Sequence, residues 1–309
     1  MKRCTVCPNN CLIEHSVCGR KNNINENLVE TTAVAIDPIE KKPLYHFMPG
    51  SRTLSIGTLG CNLKCLNCQN HTIAQPRNPE HVRTETFSSN ELVEIALNNN
   101  LKSISWTYNE PTIYPEWIVN TAKIAQEHDI KTILVTNGYT SYETLKNLVK
   151  YVDAVNVDLK SMDDAFYKKV CSGHLKPVLD SIKFYYENNI HLEVTTLLIP
   201  EYNTNSVKDV VKTIEDIDIN IPLHFSAFYP QYKLSNIRPT DEEIIFDACN
   251  YALEHGLNYV YAGNTYSSEY DNTYCNYCHE LLIERDGYHI KNNIVNEKCP
   301  NCKKKIMKI

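Results

Sequence analysis

The chain of 309 residues has no apolar run long enough to cross a bilayer, and its start does not combine basic residues with an apolar stretch. It also lacks an excess of basic residues, because 31 lysines and arginines stand against 37 aspartates and glutamates, giving a net charge of −6. These absences argue against a membrane-spanning protein, a secreted protein and a general nucleic-acid binder. We therefore expect a soluble protein of the cytoplasm.

Internal repeats and long low-complexity tracts are also absent, whereas cysteine is abundant, with thirteen residues. Most of the cysteines are separated by only two or three residues. In a chain without a secretion signal, such spacing indicates metal binding rather than disulfides. Four lie near the start, three in the middle and four near the end, and we interpret the remaining two, Cys171 and Cys249, as ordinary buried residues.

The three middle cysteines, Cys61, Cys65 and Cys68, form a Cys-x3-Cys-x2-Cys motif with no fourth cysteine in the next hundred residues. A [4Fe-4S] cluster that only stores electrons is normally held by four cysteines. Three cysteines would leave one iron free to bind another molecule. The alternatives are three structural thiols or a zinc site with a distant fourth ligand.

Short β-branched runs alternate with helical periodicity between residues 53 and 263, which predicts repeated βα units. The predicted strands cover residues 53–58, 103–107, 132–136, 154–158, 192–198, 223–228 and 259–262. The predicted helices between them include residues 116–128, 142–151, 207–217 and 242–255. We predict an α/β fold, a partial (β/α)6-type TIM-like barrel, in which chemistry lies at the C-terminal ends of the strands.

Polar residues follow three of the predicted strands, and the cysteine motif follows the first. These polar residues are Tyr108, Asn109 and Glu110 after the second strand, Thr136, Asn137 and Gly138 after the third, and Asp158 and Lys160 after the fourth. Because the C-terminal ends of parallel strands meet at one rim, we expect a single site there.

The motifs resemble those of the radical S-adenosylmethionine superfamily, and within it the activating enzymes of pyruvate formate-lyase type. Tyr108-Asn109-Glu110 stands where that group has Gly-Gly-Glu, and Asp158-Leu159-Lys160 matches its Asp-x-Lys run. Over nearly its whole length the chain also resembles the radical enzyme of the AmmeMemoRadiSam system. That resemblance rests on the run 37–46 (Asp-Pro-Ile-Glu-Lys-Lys-Pro-Leu-Tyr-His), the Cys-Gln-Asn end of the cysteine motif, the Tyr-Asn-Glu-Pro-Thr run at 108–112 and the terminal cysteine pairs.

The resemblance implies a [4Fe-4S] cluster on Cys61, Cys65 and Cys68 whose free iron binds S-adenosylmethionine. The implied reaction is reductive cleavage of that cofactor to methionine and a 5′-deoxyadenosyl radical, which abstracts hydrogen from an unidentified substrate, a protein being one class. Glu110 is expected to bind the ammonium group of the cofactor and Lys160 its carboxylate. The implied cofactor-binding residues are Asn67, Tyr108, Asn109, Glu110, Thr136, Asn137, Asp158, Lys160 and Asn264.

The implied partners are an external one-electron reductant of flavodoxin or ferredoxin type, a protein substrate, and Memo-type and AMMECR-type proteins. Two alternatives remain open, an activating enzyme for a glycyl radical enzyme and a catalytically inert metal-binding adaptor. The chain also departs from the family pattern at two places. Asn67 stands where an aromatic residue is common, and Tyr229 stands where activating enzymes tend to have a histidine.

At the C-terminus, Cys275, Cys278, Cys299 and Cys302 form two Cys-x2-Cys pairs separated by twenty residues with a strand-like stretch. This pattern predicts a zinc ribbon with a tetrahedral site, and a rubredoxin-like iron site is the alternative. Its expected role is structural or partner-binding.

At the N-terminus, Cys4, Cys7, Cys11 and Cys18 lie within fifteen residues. Thiolates this close are expected to share a second metal, either zinc or an auxiliary iron–sulfur cluster. We favour zinc, with His15 as an alternative ligand to Cys18.

The predicted domain organisation follows from these motifs. We expect an N-terminal metal-binding segment at 1–20, a connecting segment at 21–50, the barrel at 51–268 and a zinc-ribbon or rubredoxin-like domain at 269–309.

Overall fold

The computed structural model describes residues 2–20 and 24–306, so the expected segment limits at residues 1, 21 and 309 lie outside it. The strands within the described residues are β1 (Leu28–Thr31), β2 (Ala33–Pro38), β3 (Arg52–Gly57), β4 (Glu85–Ser88), β5 (Ser103–Trp106), β6 (Lys131–Thr136), β7 (Ala154–Asp158), β8 (His191–Leu198), β9 (Leu223–Ala227), β10 (Val260–Gly263), β11 (Thr273–Tyr274), β12 (Leu281–Asp286) and β13 (His289–Asn292). The helices within them are α1 (His71–Ala74), α2 (Ser89–Asn98), α3 (Pro115–Glu127), α4 (Tyr142–Leu148), α5 (Asp164–Phe166), α6 (Leu175–Glu187), α7 (Val207–Ile217) and α8 (Glu242–Glu254). None of these helices is both long and apolar enough to span a membrane.

The main sheet has eight strands in the order β10-β9-β8-β7-β6-β5-β3-β2. Seven of them, from β3 to β10, pair in parallel, and β2 runs antiparallel to β3 at the edge. Helical connections separate the seven parallel strands, so six βα units are followed by a closing strand. This arrangement confirms the predicted partial barrel, and all seven predicted strands are present within one residue at each end.

Burial and capping explain why these segments form. All four residues of β5 are buried, as expected for parallel strands covered on both faces. Helix α2 begins at a capping box in which Ser88 and Glu91 bond reciprocally, and α4 begins where Ser141 accepts a bond from Thr144. The predicted helix 142–151 ends at Leu148, because the chain must turn there to enter β7 six residues later.

The expected connecting segment contributes structure to the barrel rather than only linking its ends. β2 forms one edge of the main sheet, and β1 pairs with β4. Beyond β2, Ile39 and Leu44 pack beneath the sheet against residues at the starts of β6 and β7. This segment therefore closes the N-terminal end of the barrel.

A buried carboxylate organises that closed end. Glu193, fully buried at the start of β8, accepts hydrogen bonds from the backbone N–H groups of Tyr45 (3.0 Å) and His46 (2.8 Å) and from the rings of His191 (3.0 Å) and His224 (2.7 Å). Burial alone would raise the pKa of Glu193, but the two histidines outweigh it and hold the pKa well below its usual value. We call this cluster the floor network.

The C-terminal residues form a separate small sheet, in the order β11-β12-β13, with its own core. Arg285 on β12 attaches this sheet to the floor network. Its guanidinium donates to the Tyr45 carbonyl (2.7 Å), stacks 4.3 Å from the Tyr45 ring and donates to the Thr273 hydroxyl. The two parts of the chain therefore meet through buried polar contacts.

Candidate active site

A cavity of about 590 Å³ opens at the C-terminal rim of the barrel. Twelve of the predicted site residues line it, namely Cys61, Cys65, Asn67, Cys68, Tyr108, Asn109, Glu110, Thr136, Asn137, Asp158, Lys160 and Asn264. The structure thus brings the cysteine motif and the tips of four further strands, β5, β6, β7 and β10, to one place.

The loop that carries the cysteines is held in place by Asn109. Its side-chain amide donates to Thr58 Oγ1 (2.9 Å) and to the Gly60 carbonyl (2.7 Å), and its oxygen accepts from the Thr58 N–H (3.0 Å). All three bonds go to the residues just before Cys61. The Asn109 side chain therefore positions the loop, and Asn109 also lines the cavity in which the sequence predicts that it contacts a cofactor.

Asn137 connects the tip of β6 to the same loop. Its amide donates to Asn62 Oδ1 (2.9 Å) and lies 3.6 Å from the Cys61 sulfur, while its oxygen accepts from the Tyr139 N–H (2.8 Å). Hydrogen bonds to ligand sulfurs tune the potential of an iron–sulfur cluster. Asn137 is therefore placed to act on the cysteine ligand itself.

Cys65 has a neighbour that the sequence did not indicate. The Cys171 thiol lies beside Cys65, and its interaction with that sulfur, assisted by the nearby Lys160 charge, lowers the pKa of Cys65 although burial acts in the opposite direction. The Cys171 carbonyl also accepts from the Lys64 N–H (2.8 Å). Cys171 is a fully buried core residue, as the sequence predicts, and it also holds the cysteine loop.

Glu110 is almost completely buried, with 1% of its surface exposed. Its Oε1 accepts from the Thr112 N–H (3.0 Å) and from the hydroxyls of Thr112 (2.6 Å) and Thr136 (2.7 Å), and its Oε2 accepts from the Asn137 N–H (2.7 Å). Burial raises the pKa of Glu110, and these four donors partly counteract it. Oε2, with a single partner, keeps accepting capacity for a ligand in the cavity.

Lys160 and Asp158 form an ion pair across the cavity wall, with 2.9 Å between Nζ and Oδ2. Burial alone would lower the pKa of Lys160, but the charges of Asp158 and Cys65 outweigh it and raise the pKa well above its usual value. A permanently charged ammonium therefore faces the cysteine motif.

Tyr108 adopts a left-handed backbone conformation, with φ of +70°. Such a conformation costs a residue with a side chain roughly 1 kcal/mol, which explains why glycine suits this position in the resembling motif. The ring fits because Gly57 has no side chain, since a Cβ there would lie 2.9 Å from Tyr108 Cδ2. Its hydroxyl then reaches Asp37 Oδ2 at 2.6 Å.

Asp37 and Lys42 are site residues that sequence reasoning did not assign. Both line the cavity from the segment around β2, and Lys42, 2% exposed, pairs with Asp37 at 2.8 Å. Burial acts to raise the pKa of Asp37, but Lys42 and Tyr108 hold it well below its usual value. In the sequence, both residues belong to the run 37–46, which supports a family resemblance but does not by itself indicate a position in the cavity.

The two residues that depart from the family pattern lie at the cavity edge or near it. Asn67 lines the cavity. The Tyr229 hydroxyl donates to the Asn264 carbonyl at 3.2 Å, and the Asn264 side chain donates to the Ala227 carbonyl at 3.1 Å. Asn264 therefore caps β9 with its side chain while its backbone forms the rim.

The C-terminal cysteines have the geometry of a single tetrahedral ion. The sulfurs of Cys275 and Cys302 are 3.7 Å apart, as are those of Cys278 and Cys299. A tetrahedron with metal–sulfur bonds of about 2.3 Å has edges of roughly 3.8 Å. Elsewhere in residues 2–20 and 24–306, no group of three or more potential ligands gathers its donor atoms within 4.8 Å.

The spacing of Cys61, Cys65 and Cys68 fits a cluster better than a single ion. Their sulfurs line one cavity but do not gather within 4.8 Å of one another. A cubane holds its thiolates on different irons and so further apart than one ion does. With a buried carboxylate and a charged lysine beside them, these donors suit a cluster that binds a zwitterionic ligand.

Comparison with known proteins agrees with this geometry. The model of the Radical SAM superfamily matches residues 55–214. The Methanocaldococcus jannaschii protein MJ0808 is 42% identical over 98% of this chain and 94% of its own length. The pyruvate formate-lyase-activating enzyme of Clostridium pasteurianum is 24% identical over 63% of this chain and 87% of its own.

Solved structures show the same fold. Streptococcus suis SuiB, in a crystal structure with bound S-adenosylmethionine, matches 68% of this chain and 49% of its own, with a TM-score of 0.54 and 16% identity. The matched family region begins within β3, extends past β8 and contains the whole cysteine motif. The chain belongs to the Radical SAM superfamily and is a radical S-adenosylmethionine enzyme.

Proposed function

We propose that the rim cavity cleaves S-adenosylmethionine and directs the resulting radical to a hydrogen atom of a substrate bound in the same cavity. The observation that supports this proposal most strongly is that the three motif cysteines and the tips of β5, β6 and β7 line one cavity. A cluster on Cys61, Cys65 and Cys68 would supply one electron to the sulfonium, releasing methionine and a 5′-deoxyadenosyl radical. Every other contribution comes from the protein's own side chains.

Glu110 and Lys160 would hold the two ends of the methionine moiety. The free lone pair of Glu110 Oε2 accepts from the ammonium group, and Lys160, kept charged by Asp158, donates to the carboxylate. Both groups are fixed before the cofactor arrives, because their hydrogen bonds within the protein already set their positions. Such preorganisation reduces the entropy lost on binding.

The part of the cavity wall formed by Asp37 and Lys42 would face the substrate. Both residues line the cavity without a role in the cofactor motifs. The Tyr108 hydroxyl donates to Asp37, and the Lys42 ammonium lies 5.1 Å from the centre of the Tyr108 ring.

Anaerobic reconstitution with iron and sulfide, followed by S-adenosylmethionine and dithionite, tests the proposal. We expect the wild type to form 5′-deoxyadenosine and Cys65→Ala to form none above background. Cys249→Ala is the control, because Cys249 is a buried cysteine that lies on α8 and does not line the cavity. Equal product from wild type and Cys65→Ala would refute the proposal.

We further propose that the enzyme is the radical component of an AmmeMemoRadiSam system, acting with Memo-type and AMMECR-type proteins and with an external reductant of flavodoxin or ferredoxin type. The run 37–46 supports this assignment, since Asp37 and Lys42 line the cavity and Tyr45 and His46 bind the floor carboxylate. Genes for the two partner proteins beside this one are the expected finding.

Activation of a glycyl radical enzyme is the second candidate. It is favoured by the similarity to the pyruvate formate-lyase-activating enzyme of Clostridium pasteurianum. A neighbouring gene for a glycyl radical enzyme, and a glycyl radical signal when the two proteins are mixed with S-adenosylmethionine and reductant, would support this candidate. Both findings would argue against the first.

A further inference from the structure

The N-terminal cysteine segment lies on the same rim as the cavity. The Val6 carbonyl accepts from the Ser141 N–H (3.1 Å) after β6, and Arg20 forms an ion pair with Glu116 (2.6 Å) at the start of α3. The Cys18 carbonyl lies so close to Gly60 that a Cβ there would be 2.0 Å from it. Cys18 thus packs against the residue that precedes Cys61.

One residue, Asn62, joins the two cysteine sets. Asn62 is fully buried and follows Cys61 in the chain, and its Oδ1 lies 4.0 Å from the Cys61 sulfur. Its side-chain amide donates to the Tyr139 carbonyl at 2.7 Å. Its backbone carbonyl accepts from the Asn9 side chain at 2.7 Å. Asn62 therefore joins the loop of Cys61 to the N-terminal segment at a point two residues after Cys7.

The four N-terminal cysteines are grouped but are not as close as the ligands of one ion. Cys4 and Cys11 are paired by a backbone hydrogen bond (2.8 Å), and Cys7 interacts electrostatically with both Cys4 and Cys18. Yet no three of these sulfurs, all within the described residues, come within 4.8 Å of one another. The C-terminal four do so, and the motif cysteines at the cavity do not. The N-terminal set shares the wider spacing of the cavity set.

The cavity cysteines and the N-terminal cysteines differ in number, and this number determines whether a bound cluster can also bind a substrate. Three cysteines at the cavity leave an iron open, whereas four would occupy every iron of a cubane and leave none for a substrate. Cys7 and Cys18 are buried, and Cys18 packs against the cavity loop at Gly60, while Cys4 and Cys11 are partly exposed. Such a site faces solvent on one side and the cavity cluster on the other.

We propose that Cys4, Cys7, Cys11 and Cys18 hold a second [4Fe-4S] cluster that passes electrons to the cluster in the cavity. This inference rests on the proposed function, and it replaces the zinc ion that we favoured from the sequence. A reduced flavodoxin-type or ferredoxin-type donor gives one electron to the N-terminal cluster and is itself oxidised by one electron. The N-terminal cluster then gives that electron past Asn62 to the cavity cluster and returns to its starting state.

Iron counting tests the second site without any activity measurement. After anaerobic reconstitution and desalting, we expect about eight irons and about eight sulfides per wild-type chain. The variant C61A/C65A/C68A, whose N-terminal segment is unchanged, should retain about four of each and a reduced-cluster signal in electron paramagnetic resonance. The proposal would be overturned if this triple variant contained no iron and bound two zinc ions, one at the C-terminal site and one more.

The variant C4S/C7S/C11S/C18S tests the relay. We expect it to retain about four irons and normal reduction of the cavity cluster by dithionite, but to lose rapid reduction by photoreduced flavodoxin. Undiminished reduction by flavodoxin would overturn the relay. If this variant fails to fold, the relay is tested on the wild type by mixing it with reduced flavodoxin and following the electron paramagnetic resonance signals of the two reduced clusters. Electron transfer requires the signal of the N-terminal cluster to decay as the signal of the cavity cluster grows.

The two proposals fail in different ways. A wild type that forms 5′-deoxyadenosine but binds only about four irons would refute the second cluster and leave the cavity function intact. A wild type with about eight irons and no 5′-deoxyadenosine would refute the cavity function and leave the second site intact. The C-terminal variant Cys302→Ser serves as the control, because it should lose the tetrahedral ion and neither cluster.

Discussion

Glu110→Gln is expected to weaken binding of S-adenosylmethionine strongly, because it removes the negative charge that faces the ammonium group. A hydrogen bond to a charged group contributes about 1.5–3 kcal/mol, which corresponds to a roughly 10- to 150-fold rise in the dissociation constant. Glutamine is nearly the same size, so the cavity keeps its shape. The change therefore isolates charge and hydrogen bonding.

The same substitution also has a cost in stability that the structure defines. The glutamine oxygen can accept from Thr112 and Thr136, but its NH2 group then faces the Asn137 N–H, which now bonds to Oε2. Two donors facing each other leave one buried group without a partner, at a cost of about 1–3 kcal/mol. A loss of affinity must therefore be separated from a loss of fold.

Glu193→Gln is the matched control for this effect. Glu193 is as buried as Glu110 and also accepts four hydrogen bonds, but at the opposite end of the barrel. We expect both variants to lower the free energy of unfolding and only Glu110→Gln to weaken cofactor binding. Titration of the reconstituted enzymes with S-adenosylmethionine, followed by electron paramagnetic resonance, measures the difference. Equal dissociation constants for the two variants would refute the role assigned to Glu110.

Three further predictions concern other parts of the molecule. Burial lowers the pKa of His46 to about 3 in the folded protein, whereas the pKa in the unfolded chain is 6.5. Below pH 6.5 the unfolded chain therefore gains a proton that the folded protein does not, and the stability that is fully present above pH 6.5 is lost as the pH falls. Between pH 6.5 and 5 the wild type should lose about 2 kcal/mol more than His46→Phe in urea unfolding, and parallel curves would contradict this. Cys171→Ala removes the thiol that interacts with the Cys65 sulfur and lowers its pKa, so the midpoint potential of the cavity cluster should fall in a redox titration, and an unchanged potential would contradict this. Cys302→Ser should remove one metal ion per chain by elemental analysis and make residues 269–306 sensitive to protease, because that segment's core contains only five buried residues; retention of the ion would refute the tetrahedral site.

The barrel and the position of its site could be predicted from the sequence because both depend on local patterns. Seven β-branched runs separated by helical segments specify a parallel sheet, and parallel strands bring their polar ends to one rim. The position of Glu110 and Lys160 directly after predicted strands is therefore enough to predict that both lie at the rim.

The residues that were missed depend on contacts between distant segments. Asp37 reaches the cavity only because β2 pairs with β3, and Cys171 reaches Cys65 only because the chain between β7 and α6 returns to the cysteine loop. The bonds from Asn109 to the cysteine loop could not be predicted from the sequence either, since an amide at a strand tip suits a ligand or a neighbouring backbone equally well. Such contacts depend on the direction of the side chain, which the position in the chain does not specify.

The floor network has a consequence for how the chain is made. Glu193 is surrounded by donors from the segment around Tyr45, and that segment is in turn held by Arg285, 240 residues later. A nascent chain that has not yet passed residue 285 can form every strand of the barrel but cannot complete the contacts beneath it. Because domains fold as they leave the ribosome, the last part of the protein to be synthesised is the part that completes the barrel's base.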